Sequence, residues 1–163
     1  MKLGKEFFRQ SATIVAPALI GKTLHYKGQE YVITETECYF GEEDTACHAH
    51  RGRTKRTELL YAEGGTVYMY LCYGIHSMLN FVTGDENHPE GVLIRGLEGL
   101  SGPGKLTKSI GITMALHGED LTSSDDIWVE DENIPCEYEK TPRIGIGYAS
   151  PEDQSKLWRY VKK

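Results

Sequence analysis

The sequence predicts an α+β fold in which one mixed domain of 163 residues is built on a mostly antiparallel sheet. Two observations carry this prediction. Residues 66–83 show the alternating pattern and short central connection of a β-hairpin. Elsewhere short extended runs follow one another with few helical patterns between them, which argues against βαβ winding.

The N-terminal third predicts a helix followed by two strands. Residues 5–20 have a helical pattern with an irregularity near Pro17, which could equally mark the first turn of a second helix. Residues 24–26 and 31–36 are expected to be strands joined by a tight turn. The second strand would place Glu37 at its end.

The hairpin carries the most distinctive side chains of the chain. In the segment TVYMYLC, Tyr68, Tyr70 and Cys72 are expected on one face of the strand. Tyr73 follows at the tip, and Gly74 can supply the positive φ that a tight connection requires.

The remaining elements are shorter. Residues 41–65 are polar and predict a long loop with one helical turn around Leu59; a loop of this length in a compact domain is usually functional. A Gly-Pro loop opens a helix expected over residues 105–116. Further strands are predicted at 91–97, 127–130 and 143–147.

The charge distribution matters more than the net charge of −6. Residues 119–139 hold nine acidic and no basic side chains, so the rest of the chain is basic. Four cations lie within six residues of the long loop, and they suit contacts to phosphate as well as to solvent. They are Arg51, Arg53, Lys55 and Arg56.

Other partner classes receive little support. The apolar stretch 12–20 is too short to cross a membrane and contains Pro17, so no membrane association is expected. The four cysteines show no paired spacing, and we expect free thiols in a cytoplasmic protein. A zinc site would have to use Cys38, Cys47, His48 and His50, which lack the usual two spaced ligand pairs.

A carboxylate between aromatic residues suits the hydrolysis of an N-glycosidic bond. Glu37, Tyr39 and His48 lie about thirty residues before the tyrosine-rich hairpin. Aromatic faces can hold a purine turned out of the DNA stack, and a carboxylate can activate water beside it. Each residue also has an ordinary structural explanation: Glu37 as a surface carboxylate, or Arg95 as the partner of Glu35 or Glu98.

The string itself closely resembles the alkyladenine (3-methyladenine, methylpurine) DNA glycosylase family. The resemblance lies in ETECYFGEEDTACHAHRGRTKR, GGTVYMYLCYGIHSMLNF, GVLIRGLE, GPGKLTKSIGI and PRIGIGYA, in that order. It implies a curved, mostly antiparallel sheet with flanking helices and a protruding β-hairpin. It also implies a monofunctional base-excision repair enzyme without cofactor or metal, which flips 3-methyladenine, 7-methylguanine, hypoxanthine or ethenoadenine out of double-stranded DNA.

The resemblance also implies roles for single residues. Glu37 falls on the general base and Arg95 on the arginine that helps to orient water and phosphate. Tyr73 falls on the intercalating residue, and a backbone carbonyl of the PRIGI segment is expected to complete the water site. Base-binding positions fall on Tyr39, His48, Tyr70 and Asn80, and Lys105 joins the four loop cations as a backbone-contact candidate.

This chain departs from the family pattern in one connection. The family usually has some twenty further residues between the strand of Arg95 and the GPGKL helix, whereas only residues 98–101 fill this gap here. We therefore expect a compact member that acts as a monomer in the bacterial cytoplasm, or in the nucleus of a eukaryote. Two alternatives remain at this point: a lesion-binding module without catalysis, and a zinc-dependent nucleic-acid protein.

Overall fold

The computed structural model describes residues 1–163. Nine strands form one curled antiparallel sheet, and four short helices flank it. The helices are α1 (Lys5–Phe8), α2 (Ala12–Ala18), α3 (Pro103–Ile110) and α4 (Pro151–Ser155). The strands are β1 (Thr23–Tyr26), β2 (Gln29–Phe40), β3 (Val67–Cys72), β4 (His76–Thr83), β5 (Glu90–Leu97), β6 (Leu100–Ser101), β7 (Ile127–Glu130), β8 (Tyr138–Thr141) and β9 (Arg159–Lys162). The predicted α+β class is confirmed.

The strand order is β3-β4-β5-β2-β1-β7, and β2 lies at its centre. This twelve-residue strand pairs with β1 along its first half and with β5 along its second. It also pairs with β9, which in turn pairs with β8, while β6 folds back on β5 through a two-residue turn. The long strand therefore brings residues from the middle and the C-terminus of the chain together.

One face of the sheet buries the main hydrophobic core. Val92 and Ile94 of β5 and Cys38 of β2 are fully buried in a cluster of 25 residues, together with residues of α2 and α3. The Thr36 hydroxyl donates to the Ala16 carbonyl at 2.7 Å and ties α2 to β2. Since side chains alternate along a strand, the residues between these core positions point to the opposite face. We call that opposite face, which carries Glu37 and Tyr39, the site face.

Four sequence-based expectations about elements were wrong in detail. Residues 5–20 form two helices: α1 ends at Phe8, and Ser11 caps the start of α2. Pro17 lies within α2 and does not begin a helix. The strand that bears Glu37 continues to Phe40, so Glu37 is not at its end. The helix expected over 105–116 is α3 followed by a separate 3₁₀ turn at Met114–Leu116.

The fourth concerns the C-terminal strands. Residues 143–147 are not a strand, because the Ile144 amide donates to the side chain of Glu37 and not to a backbone carbonyl of a neighbouring strand. Strands β8 and β9 lie on either side of this segment instead.

The hairpin β3–β4, the strands β5 and β7, and the 3₁₀ turn at Glu58–Tyr61 agree with the sequence predictions. None of the helices is long and apolar enough to cross a membrane.

Candidate active site

Glu37 is the buried polar centre of the site face. Its side chain has no solvent exposure, yet three groups satisfy its carboxylate. The Tyr39 hydroxyl donates to Oε1 at 2.8 Å, and the Ile144 amide donates to Oε2 at 2.8 Å. Arg95 Nη1 lies 3.5 Å from Oε1. A buried carboxylate with this many partners is held in one orientation.

Arg95 reaches Glu37 because the β2–β5 ladder is irregular at this point. Glu35 pairs with Gly96 and Thr36 with Ile94, so Arg95 is an extra residue without a partner on β2. Thr34 is a compensating extra residue on β2. Bulges of this kind often turn a side chain toward an active site. Glu35, the alternative partner considered for Arg95, is paired with Arg159 at 3.2 Å.

One row of paired residues crosses the site face. Tyr68 of β3 lies opposite Asn80 of β4, Asn80 opposite Leu93 of β5, and Leu93 opposite Glu37 of β2. Directly opposed residues share a face, so register alone places Asn80 two strands from Glu37. The Asn80 side-chain amide makes one long contact, 3.4 Å to the Met78 carbonyl.

Tyr39 forms one aromatic wall. The Arg143 guanidinium lies 5.0 Å from the centroid of its ring. Burial, and then the neighbouring Glu37 carboxylate, raise the pKa of the Tyr39 phenol well above its usual value. The hydroxyl therefore stays protonated and remains a donor to Glu37.

His48 and Tyr70 form a second aromatic group. Their ring centroids are 3.9 Å apart, and the Arg56 guanidinium lies 4.3 Å from the Tyr70 centroid. His48 Nδ1 is 3.4 Å from the Tyr68 hydroxyl. Burial, and then the charge of Arg56, lower the pKa of His48 to about 4, so the imidazole is neutral at pH 7. Arg56, although exposed, also donates to the Leu71 carbonyl and lies against the aromatic group.

The hairpin tip carries Tyr73 into solvent. Its side chain is 90% exposed, and its backbone has φ of 53°, in the left-handed region that a bulky residue rarely adopts. Ile75, also exposed, follows at the tip. Close to the tip, Thr107 of α3 donates to the Ser77 carbonyl of β4 at 2.7 Å.

The cation candidates do not form one uniform surface. Arg51, Lys55 and Lys105 are exposed. Lys105 follows Gly104, where an added Cβ would lie 2.9 Å from the His76 ring, so the start of α3 packs on the hairpin. Arg53 is engaged in a two-bond ion pair with Glu58 and stacks on Tyr61.

The residues considered for zinc do not gather. No three of Cys38, Cys47, His48 and His50 bring ligand atoms within 4.8 Å of one another; the one group that does is His25, Glu30 and Glu130. Burial raises the pKa of the Cys47 thiol to about 12 and that of Cys38 higher still, which disfavours the thiolate that binds metal. The four residues weighed as zinc ligands therefore do not form a ligand cluster in this structure.

Sequence reasoning missed a second buried ion pair beside the site. Arg143 donates two bonds to Asp44, at 2.6 and 3.0 Å, and both side chains are buried. It also missed Tyr148, whose ring is 69% exposed while its hydroxyl donates to the Ala46 carbonyl at 2.8 Å. Arg143 and Tyr148 belong to the PRIGIGYA segment, which the resemblance singled out without assigning these side chains.

A buried carboxylate that accepts from a tyrosine and lies on the face that also carries an asparagine is the arrangement of a candidate N-glycosyl hydrolase, and comparisons with known proteins agree. The family model described as methylpurine-DNA glycosylase (MPG) matches residues 6–101 and 98–163. A relative from Rickettsia felis, provisionally named 3-methyladenine DNA glycosylase, is 43% identical over 166 residues, covering 98% of this chain and 92% of the relative. A Rickettsia prowazekii relative of the same name is 36% identical over 207 residues, covering 98% and 94%.

The chain belongs to the methylpurine-DNA glycosylase family. It is an enzyme of the 3-methyladenine DNA glycosylase type, which hydrolyses N-glycosyl bonds in DNA during base-excision repair. The 207 aligned positions exceed the 163 residues of this chain, so the R. prowazekii relative carries additional residues. The two segments matched by the family model overlap at residues 98–101, which contain the two-residue turn between β5 and β6.

Proposed function

We propose that this glycosylase excises alkylated or deaminated purines from double-stranded DNA, and that Glu37 activates the attacking water. The substrates proposed are 3-methyladenine, 7-methylguanine, hypoxanthine and ethenoadenine. The observation that carries the proposal is the Glu37 carboxylate, fully buried and held by Arg95, Tyr39 and the Ile144 amide. Burying a carboxylate is costly, and such groups are frequent at catalytic sites.

The chemistry follows from this arrangement. As the bond between C1′ and the purine nitrogen breaks, its electron pair leaves with the base and C1′ becomes positively charged. Water adds to C1′, and Glu37 accepts its proton. The carboxylate also balances the positive charge on the sugar. A cationic methylpurine leaves as a neutral base, whereas hypoxanthine needs a proton from water or an edge contact.

We propose that the flipped base lies between Tyr39 and the group formed by His48 and Tyr70. Because His48 and Arg56 both lie close to the Tyr70 ring, a base that stacks on Tyr70 displaces Arg56, or else stacks on His48. Asn80 lies in the row of Glu37, where its amide can exclude the 2-amino group of guanine.

Tyr73 is proposed to fill the space that the flipped nucleotide leaves in the stack. Exposed cations near the hairpin and the long loop would contact phosphate: Arg51, Lys55 and Lys105, with Arg53 and Arg56 after release from their present partners. We propose that the enzyme acts as a monomer.

The test is Glu37→Gln, with Glu35→Gln as its matched control. Glu35 lies two residues earlier on the same strand and pairs with Arg159. Base release from methylpurine and hypoxanthine duplexes, measured at single turnover, should fall about 100-fold or more in the Glu37 variant. Binding of the same duplexes, measured by gel shift, should persist.

The Glu35 variant should release base at close to the wild-type rate. If the Glu37→Gln variant released base at the wild-type rate, the role of Glu37 as general base would be rejected. A wild-type protein that binds lesions but forms no abasic sites would reject the proposed reaction on these substrates.

A further inference from the structure

We infer that Arg143 is the positioning residue of this active site, holding the Ile144 amide and the Tyr39 ring in place against Glu37. The inference rests on the proposed role of Glu37 and extends it to a residue that does not touch the substrate. Arg143 side-chain atoms have no solvent exposure, and Asp44 is 1% exposed.

The guanidinium joins four separate parts of the chain. It donates to both oxygens of Asp44 in the long loop and, at 3.0 Å, to the Cys38 carbonyl of β2. It also donates to the Asp153 carbonyl of α4 at 3.2 Å. The rings of Tyr39 and Trp158 each lie 5.0 Å from its central carbon. One planar group thus fixes β2, the loop, α4 and its own segment relative to one another.

Two of the three partners of Glu37 depend on this group. Ile144 directly follows Arg143 in the chain, and its amide makes the 2.8 Å bond to Oε2. Tyr39, which stacks on the guanidinium, makes the 2.8 Å bond to Oε1. A shift of Arg143 therefore moves both donors at once, and displacements of about 1 Å in a catalytic group can lower rates about 100-fold.

Asp44 extends the same support to the other aromatic wall. Its carboxylate accepts from the Phe40 and Ala46 amides at 2.9 and 3.0 Å, which orders the start of the loop. Two residues after Ala46 the chain reaches His48. The ion pair thus contacts Tyr39 directly and is connected to His48 through the loop that Asp44 orders.

The shape of the side chain is what this role requires. Lysine carries the same charge but cannot make two parallel bonds to Asp44 while also donating to two carbonyls and lying over the Tyr39 ring. Arg143→Lys therefore removes the geometry while it keeps the buried positive charge, which avoids leaving Asp44 unpaired.

The experiment compares Arg143→Lys with a stability control, Val129→Ala, in the main core on β7. Both variants are assayed well below their melting temperatures, with single-turnover base release and lesion-duplex affinity measured separately. Arg143→Lys should lower the rate constant about 10- to 100-fold and change the dissociation constant less than threefold. Val129→Ala should lose thermal stability and keep the wild-type rate constant.

A rate constant for Arg143→Lys within twofold of wild type would overturn the inference, as would equal losses in rate and affinity. If this variant does not fold, Asp44→Asn replaces it, since it loosens the same fork and carries the same expectations. Wild type and Glu37→Gln are run alongside. If these two proteins released base at the same rate, the proposed general base would be rejected. If their rates differed while Arg143→Lys kept the wild-type rate, only the positioning role of Arg143 would be rejected.

Discussion

His48 is a neutral imidazole enclosed by Tyr68, Tyr70 and the Arg56 guanidinium. Its pKa, lowered to about 4, has a consequence for stability. In the unfolded chain the imidazole takes up a proton near its ordinary pKa of about 6.5. Between these values the unfolded state binds more protons than the folded state, so the free energy of unfolding falls as the pH falls. Above about pH 6.5 this contribution to the pH dependence vanishes.

We predict that His48→Asn flattens this pH dependence. Asparagine keeps a polar atom near the position of Nδ1 but does not titrate. The decrease in unfolding free energy between pH 7 and pH 5, measured by urea denaturation, should be smaller in the variant than in wild type. His117, whose pKa burial also lowers, contributes with the same sign in both proteins. An unchanged decrease would mean that His48 is protonated in the folded protein.

The hairpin is the element that combines conformational strain with exposure. Four non-glycine residues have positive φ: Lys27, Tyr73, Asn87 and Asn133. Two of them are asparagines, which tolerate this region, whereas Tyr73 is bulky and solvent-exposed. Strain retained at an exposed aromatic residue indicates a function outside the folded chain itself, in agreement with a wedge for DNA.

We predict that Tyr73→Asn separates stability from function. Asparagine suits the left-handed backbone, so thermal unfolding should shift to the same or a higher temperature. Loss of the ring should weaken lesion binding about tenfold or more, since stacking of one base on an aromatic ring contributes about 1–3 kcal/mol. Fluorescence anisotropy with a hypoxanthine duplex would measure this.

Lys27→Asn, at the left-handed position of the β1–β2 turn, is the matched control and should not change lesion affinity beyond a small charge effect. If Tyr73→Asn bound the lesion duplex as tightly as wild type, the proposed role of Tyr73 as a wedge would be ruled out.

Across the whole molecule, acidic residues are concentrated in one segment of the chain, residues 119–139. This segment includes β7, the edge strand at the other end of the strand order from β3, whereas its first residues, Glu119 and Asp120, lie beside the start of β3. Arg56 and the start of α3, which carries Lys105, lie beside the hairpin. An acidic chain can therefore present a basic surface to DNA, since local charge governs short-range contacts with phosphate.

We predict that alanine substitutions of different cations in the long loop change the salt dependence of DNA affinity by different amounts. Replacing an exposed, phosphate-contacting cation by alanine should lower the slope of log affinity against log salt by about 1. Arg51→Ala and Lys55→Ala should show this decrease. Arg53→Ala should show less, because Glu58 already neutralises Arg53. Equal slopes for all three variants and wild type would exclude this segment from the DNA interface.

The sequence alone determined the class of fold, the hairpin and the family, because these depend on local periodicity and on contiguous motifs such as ETECYF and YMYLCYG. Pairing in register then carried Tyr68, Asn80 and Glu37 to one face, as alternation along strands requires. Single residues such as Glu37 and Tyr73 could be named from their motifs. The start of α2 and the last strands could not, because Ser11 and the Ala12 amide bond to Glu90 of β5, and the Ile144 amide bonds to Glu37 of β2.

Only the tertiary structure decided how the Glu37 carboxylate is held. The bulge that turns Arg95 toward it is a mismatch between two strands and leaves no trace in either strand's pattern. Arg143 and Asp44 are 99 residues apart, and an arginine in a sequence looks the same whether it is solvated or buried. Bonds between distant residues depend on how the whole chain packs, and that packing places the Glu37 carboxylate within contact of Tyr39, Arg95 and the Ile144 amide.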